Sequence, residues 1–106
     1  MKLKMTYNGA DYYMEFDRAT AEATEKELGV SVSDLTAMRI TVFPSLFHGS
    51  LLKHHPNMKQ KTVDMLFEKL AGKRELYAKL VEMYVETIQT LLDEPAEGEA
   101  VSWAEV

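Results

Sequence analysis

The sequence predicts an α+β fold, an N-terminal β-hairpin laid on a bundle of four to five helices, followed by an acidic tail. Three observations lead there. An Asn8-Gly9 pair separates two alternating segments, apolar residues recur at helical spacing from residue 18 to residue 93, and periodicity stops at Pro95. With 106 residues, 46% of them apolar, the chain suits one globular domain over residues 1–93, with residues 94–106 as a flexible tail.

The hairpin spans residues 2–17. Leu3, Met5 and Tyr7 alternate with Lys2, Lys4 and Thr6; beyond the turn, Tyr12, Met14 and Phe16 alternate with Asp11, Tyr13 and Glu15. A type I′ turn requires positive φ at both central residues, and Asn-Gly is the pair that best tolerates it. A two-residue loop sets Tyr7 opposite Ala10, Met5 opposite Tyr12, Leu3 opposite Met14 and Lys2 opposite Glu15. That register gathers the large apolar side chains on one face and an opposite-charge pair on the other. A lone hairpin is marginal in water, so its apolar face must rest on helices.

Asp17 is placed to cap a helix over residues 18–28, with Gly29 as its left-handed terminator. Ala19, Thr20, Ala23 and Thr24 offer a thin face for close packing, while Glu22, Glu25, Lys26 and Glu27 face water. Residues 30–34 form a connector in which Ser31 or Ser33 caps a short turn over Leu35 and Met38.

A central helix is expected over residues 41–54. Pro44 is tolerated in its first turn, and Pro56 disfavours helical geometry at His55. Ile40, Phe43, Phe47, Leu51 and His54 follow helical spacing, and Gly49-Ser50 marks a point of close approach to a neighbour. A fourth helix, residues 59–71, carries Val63, Leu66, Phe67 and Leu70 on one side, with Gly72 at its end. The fifth, residues 74–93, bears a stripe of Leu76, Leu80, Met83, Tyr84, Ile88 and Leu91, widened by Tyr77, Val81, Val85 and Leu92. That arc exceeds what one neighbour can cover, so part of it packs under the hairpin or stays open for a partner. In the tail, Val101, Trp103 and Val106 stand out as apolar residues among acids, either incidental or a short docking peptide.

Charge and composition exclude several function classes. A net charge of −5 argues against nucleic-acid binding, which calls for a basic patch. With no cysteine there is neither disulfide nor thiolate chemistry, and a reducing cytoplasm is the natural setting. The N-terminus does not read as a signal peptide, and no stretch approaches the ~20 apolar residues of a membrane span. Seven methionines suit an adaptable core or an adaptable surface.

His48, His54 and His55 are the first candidates for chemistry. Adjacent helical residues point about 100° apart, and His48 to His55 spans roughly 10 Å, so the three make a poor ligand set. Capping of the helix C-terminus by His54 and His55 is the simpler reading. Ser45 and Ser50 lie near histidines only as helical neighbours, and no nucleophile elbow, phosphate loop or dinucleotide fingerprint occurs. No catalytic residue, cofactor or metal is expected. The cluster Lys53, Lys59, Lys61, Lys69, Lys73, Arg74 and Lys79 makes residues 53–79 locally basic, either a solvated face or a seat for an acidic segment.

The order of these signals resembles the tail assembly chaperones of long-tailed phages and gene-transfer agents. The likeness rests on the strand Tyr12-Tyr13-Met14-Glu15-Phe16-Asp17 running into a helix that ends Glu27-Leu28-Gly29. It rests also on Pro44-Ser45-Leu46-Phe47-His48-Gly49-Ser50-Leu51-Leu52-Lys53-His54-His55-Pro56 and on the closing Leu80-Val81-Glu82-Met83-Tyr84 helix. The resemblance implies a non-enzymatic protein of the bacterial host cytoplasm, absent from the mature virion, that binds the tape measure protein and keeps it soluble. Tail tube protein and further copies of the chain are additional candidate partners; nucleic acid and membrane are not. Helix-in-groove contact would use Phe43, Phe47 and Leu51, or Tyr77, Val81, Tyr84, Val85 and Ile88. Two other readings remain open at this point: a structural virion component, such as a tail tube or head–tail connector subunit, and a small acidic inhibitor.

Overall fold

A computed structural model describes all 106 residues. Strands β1 (Leu3–Tyr7) and β2 (Ala10–Met14) precede helices α1 (Arg18–Lys26), α2 (Val32–Thr36), α3 (Phe43–Leu51), α4 (Gln60–Lys69) and α5 (Lys73–Gln89). Single 3₁₀ turns, Ile40–Val42 and Thr90–Leu92, lead into α3 and out of α5. The α+β architecture expected from the sequence is present, and no helix is long and apolar enough to cross a membrane.

The hairpin has the expected register from Tyr7↔Ala10 to Leu3↔Met14, and Asn8 and Gly9 both take positive φ, 50° and 77°. The pairing ends at Leu3↔Met14, so Lys2 and Glu15 do not meet as a cross-strand pair. Glu15 turns instead to the chain just after α3, where its Oε1 lies 3.3 Å from Lys53 Nζ and 2.8 Å from His54 Nε2.

Helix α1 begins with a reciprocal cap. Asp17 Oδ1 accepts from Thr20 N–H at 2.8 Å, and Thr20 Oγ1 accepts from Asp17 N–H at 2.9 Å. The hydrogen bond from Thr20 N–H holds the Asp17 carboxyl below its ordinary value. Ser31, one of the two candidate caps, starts α2 by accepting from Asp34 N–H. Past α2, Arg39 N–H donates to Asp34 C=O and Met38 N–H to Leu35 C=O, a Schellman ending with Met38 left-handed at φ 54°.

Several boundaries differ from expectation, among them the end of α1, at Lys26 rather than residue 28. The first turn of the predicted central helix is 3₁₀, and α3 itself is shorter at both ends. Gly72, read as the end of the fourth helix, is the left-handed N-cap of α5; α4 ends earlier, at Leu70 in extended geometry. Residues 90–92 tighten into a 3₁₀ turn rather than extending α5.

α3 is the hub, packing on β2, α1, α4 and α5. The core is one cluster that takes Met14 from β2, Ala21 from α1, Leu35 from α2, and most of α3 and the inner face of α5. Where α1 meets α3, Gly49 lies against Thr24; a Cβ built at Gly49 would sit 2.7 Å from Thr24 Cγ2 and 2.9 Å from Thr24 Cβ. The close approach expected of Gly49-Ser50 is there; of the α1 face read from the sequence only Thr24 is buried, Ala19 is exposed, and Ala21, outside that face, is buried instead. Ser50 and Thr24 bury their hydroxyls without penalty, donating to Phe47 C=O and Thr20 C=O.

Every residue from Gln89 to Val106 is exposed. The radius of gyration is 16.0 Å, against about 13 Å for a compact domain of this length; residues 93–106 lie outside the packed body.

Candidate protein-docking groove

The groove begins with a local accident of sequence. Ile40 falls in the 3₁₀ turn before α3, and that turn rotates it off the stripe shared by Phe43, Phe47 and Leu51. It is 72% exposed, where helical spacing placed it inside. Below it, Phe43 stacks between two other rings, 4.9 Å from Phe67 of α4 and 4.9 Å from Tyr77 of α5. Tyr77 is anchored by its hydroxyl, which donates to Arg39 C=O at 3.0 Å, and burial raises its pKa. Ile40, Phe43, Phe67 and Tyr77 thus wall an open groove of about 360 Å³, completed by Lys73 and Arg74.

The electrostatics of this groove run against the net charge of the chain. Lys73 Nζ sits 5.1 Å from the centre of the Phe67 ring, a cation over an aromatic face. Neither Lys73 nor Arg74 forms an ion pair, since the three bridges of the molecule involve Arg39, Lys53 and His54. No carboxylate lines the groove. The site offers aromatic walls, an exposed aliphatic lip and two cations without a carboxylate partner.

The residues expected at a partner surface divide into three groups. Phe47, Leu51 and Tyr84 are completely enclosed, which corrects their reading as surface: α3 is surrounded on four sides, which buries Phe47 and Leu51, and Tyr84 lies on the inner face of α5. Tyr84 Oη donates to Val30 C=O at 3.0 Å, its ring meets Phe16 edge to face, and burial pushes its pKa up to about 12. Phe43 and Tyr77 are also buried, yet each presents one edge to the groove. Val81, Val85 and Ile88 are half-buried and pack against the core. Sequence reasoning missed Ile40 and Phe67 as surface; the basic cluster that includes Lys73 and Arg74 was the available signal.

A second opening of about 320 Å³ lies under the hairpin, between Met5, Tyr7 and Met14 on one side and Leu66, Leu70 and Leu76 on the other, with Lys4 and Lys69 at its edge. It has no aromatic stack and no exposed aliphatic lip.

The histidines do not cap α3, contrary to expectation. His55 Nε2 accepts a 3.0 Å hydrogen bond from Tyr13 N–H, so that nitrogen carries no proton. Burial, followed by the neighbouring His54, lowers the His55 pKa. His54 pairs with Glu15, whose pKa is lowered chiefly by that hydrogen bond. Together with Glu15 N–H donating to Ser50 C=O at 2.8 Å, these contacts bolt β2 to the end of α3. No three histidines and carboxylates gather in a way that would hold a metal ion.

No curated protein and no solved structure matches the chain. One family model does, over residues 1–105, nearly the whole length. The chain belongs to that family, DUF5055, described as a domain of unknown function.

Proposed function

We propose that this protein is a tail assembly chaperone that binds the tape measure protein of a long-tailed phage or related particle in the host cytoplasm and is left out of the finished virion. The observation that carries the proposal is the aromatic groove of Ile40, Phe43, Phe67 and Tyr77 with Lys73 and Arg74 beside it. The resemblance of residues 3–93 to that chaperone class supplies the client.

The physical fit is direct. A tape measure protein is a long helical chain whose apolar stripe is uncovered until the tube forms around it. A groove with a protruding aliphatic lip accepts one turn of such a stripe, and its two cations favour a helix carrying acidic residues nearby. The net charge of −5 disperses the complex by repulsion. The role calls for no catalysis.

Co-expression with the tape measure protein of the same particle tests this. A co-purifying complex is expected, and Ile40→Asp, a change at an exposed position, should weaken it at least tenfold while leaving the chaperone folded. Absence of a complex at low and high salt, or recovery of the protein from purified virions, overturns the proposal; the second outcome would make it a structural component.

A further inference from the structure

We propose that the groove also receives the acidic C-terminal segment of a second copy of this chain, with Trp103 seated against Phe43, Phe67 and Tyr77. The inference concerns the same groove but does not rest on the identity of its client.

The two surfaces complement each other in chemistry and charge. Trp103 is 89% exposed, and Val101 and Val106 on either side of it are open to water as well. These are the largest unpacked apolar groups outside the body, set in a segment whose charges are Asp93, Glu94, Glu97, Glu99 and Glu105, with no lysine or arginine. The groove has the opposite character, two unpaired cations and no carboxylate. An indole is a flat amphipathic ring that stacks on other aromatics, and the roughly 360 Å³ groove has room for it. Glu99 and Glu105 would then flank Lys73 and Arg74.

A second copy fits better than the chain's own groove. Lys73, Arg74 and Tyr77 sit at the start of α5 and the tail leaves from its end, about 26 Å away along the helix axis. The eleven residues that follow Leu92, through Trp103, could span that distance when extended. On the way back they would run their acidic residues along α5, where Glu82 and Glu86 outnumber Lys79 among the exposed charges beyond the groove. The net negative charge of that path opposes docking at home. A neighbour's groove is open from solvent, and reciprocal exchange of two tails closes as a symmetric pair.

Trp103 is the sole tryptophan, so the full chain reports on its own tail. Its fluorescence and its sedimentation should be followed over a dilution series. Emission is expected to move to shorter wavelength with rising concentration, at the same midpoint at which dimer replaces monomer. Trp103→Ala should abolish the dimer, and Lys73→Glu with Arg74→Glu should abolish both the dimer and the emission shift. Emission that is blue-shifted at every concentration in a monomer would place the tail in its own groove and overturn the proposal. So would emission unchanged throughout, or a dimer that persists in Trp103→Ala. Co-purification of the client with Trp103→Ala is a separate readout, so failure of the chaperone reading and failure of this one are distinguishable.

Discussion

Gly49 and Thr24 are the pair on which the contact between α1 and α3 turns. A methyl group at Gly49 would overlap the Thr24 side chain, whose Cβ and Cγ2 belong to a buried, hydrogen-bonded residue that has nowhere to go. Gly49→Ala should therefore destabilise the protein by about 1–2 kcal/mol, an overpacking cost of up to about 3 kcal/mol less the nearly 1 kcal/mol by which alanine normally favours a helix. Urea denaturation of the single variant and of the double variant with Thr24→Ala measures this. The second change removes two of the three overlapping atoms and should restore part of the loss. Strict additivity of the two would mean that the pair does not touch in solution. The glycine was legible in the sequence as a place of close packing. Its partner was not: of four small residues named on α1, only Thr24 is fully buried, because the crossing point depends on where the two helix axes meet.

The hairpin and α3 are joined by groups whose protonation matters. His55 accepts from Tyr13 N–H, so it serves the fold only as the neutral imidazole, and burial depresses its pKa below 6.5. For a base held neutral by the fold, stability is full above the unfolded value of about 6.5 and declines as pH falls below it. The charged and titratable neighbours are His54, Glu15 and Lys53, with the Tyr12 ring 5.5 Å away. Lowering the pH from about 7.5 to about 5 should lower the urea midpoint, and His55→Gln, which keeps an acceptor but cannot titrate there, should flatten that dependence. A steep decline that survives in His55→Gln would locate the titration elsewhere. Periodicity and turn chemistry revealed the hairpin, its register and the caps Asp17 and Ser31, since each is decided within a few residues. The role of His54 and His55 was hidden for the converse reason. Read along the chain they are helix-terminal cations, and their partners lie about forty residues earlier, brought near only by packing.

For the molecule as a whole, the unresolved question in the sequence was which faces of the long apolar helices are covered. Periodicity marked Phe47, Leu51, Tyr84 and Ile40 alike. Phe47 and Leu51 are enclosed because α3 has neighbours on four sides, and Tyr84 because Phe16 and Val30 close over it on α5; Ile40 is open because a 3₁₀ turn shifts its direction. Neither fact follows from spacing: the first depends on how many elements surround a helix, the second on where the α-helix begins. The tail was recognisable from its loss of pattern. Since all of it is exposed, a chain ended at Asp93 should unfold, at low protein concentration, within about 1 kcal/mol of the full chain by urea titration. A larger loss would mean that the tail packs on its own body.

The bolt between β2 and the end of α3 also dictates an order of events during synthesis. Leu3, Met5 and Tyr12 leave the ribosome early, but the groups that fasten the hairpin, Ser50, His54 and His55, emerge about forty residues later. At roughly 5–20 residues per second the nascent chain waits about two to eight seconds with a marginal hairpin and an uncovered apolar face. Over that interval Lys2, Lys4 and Asp11, charges carried by the hairpin itself, guard it against pairing with another nascent chain.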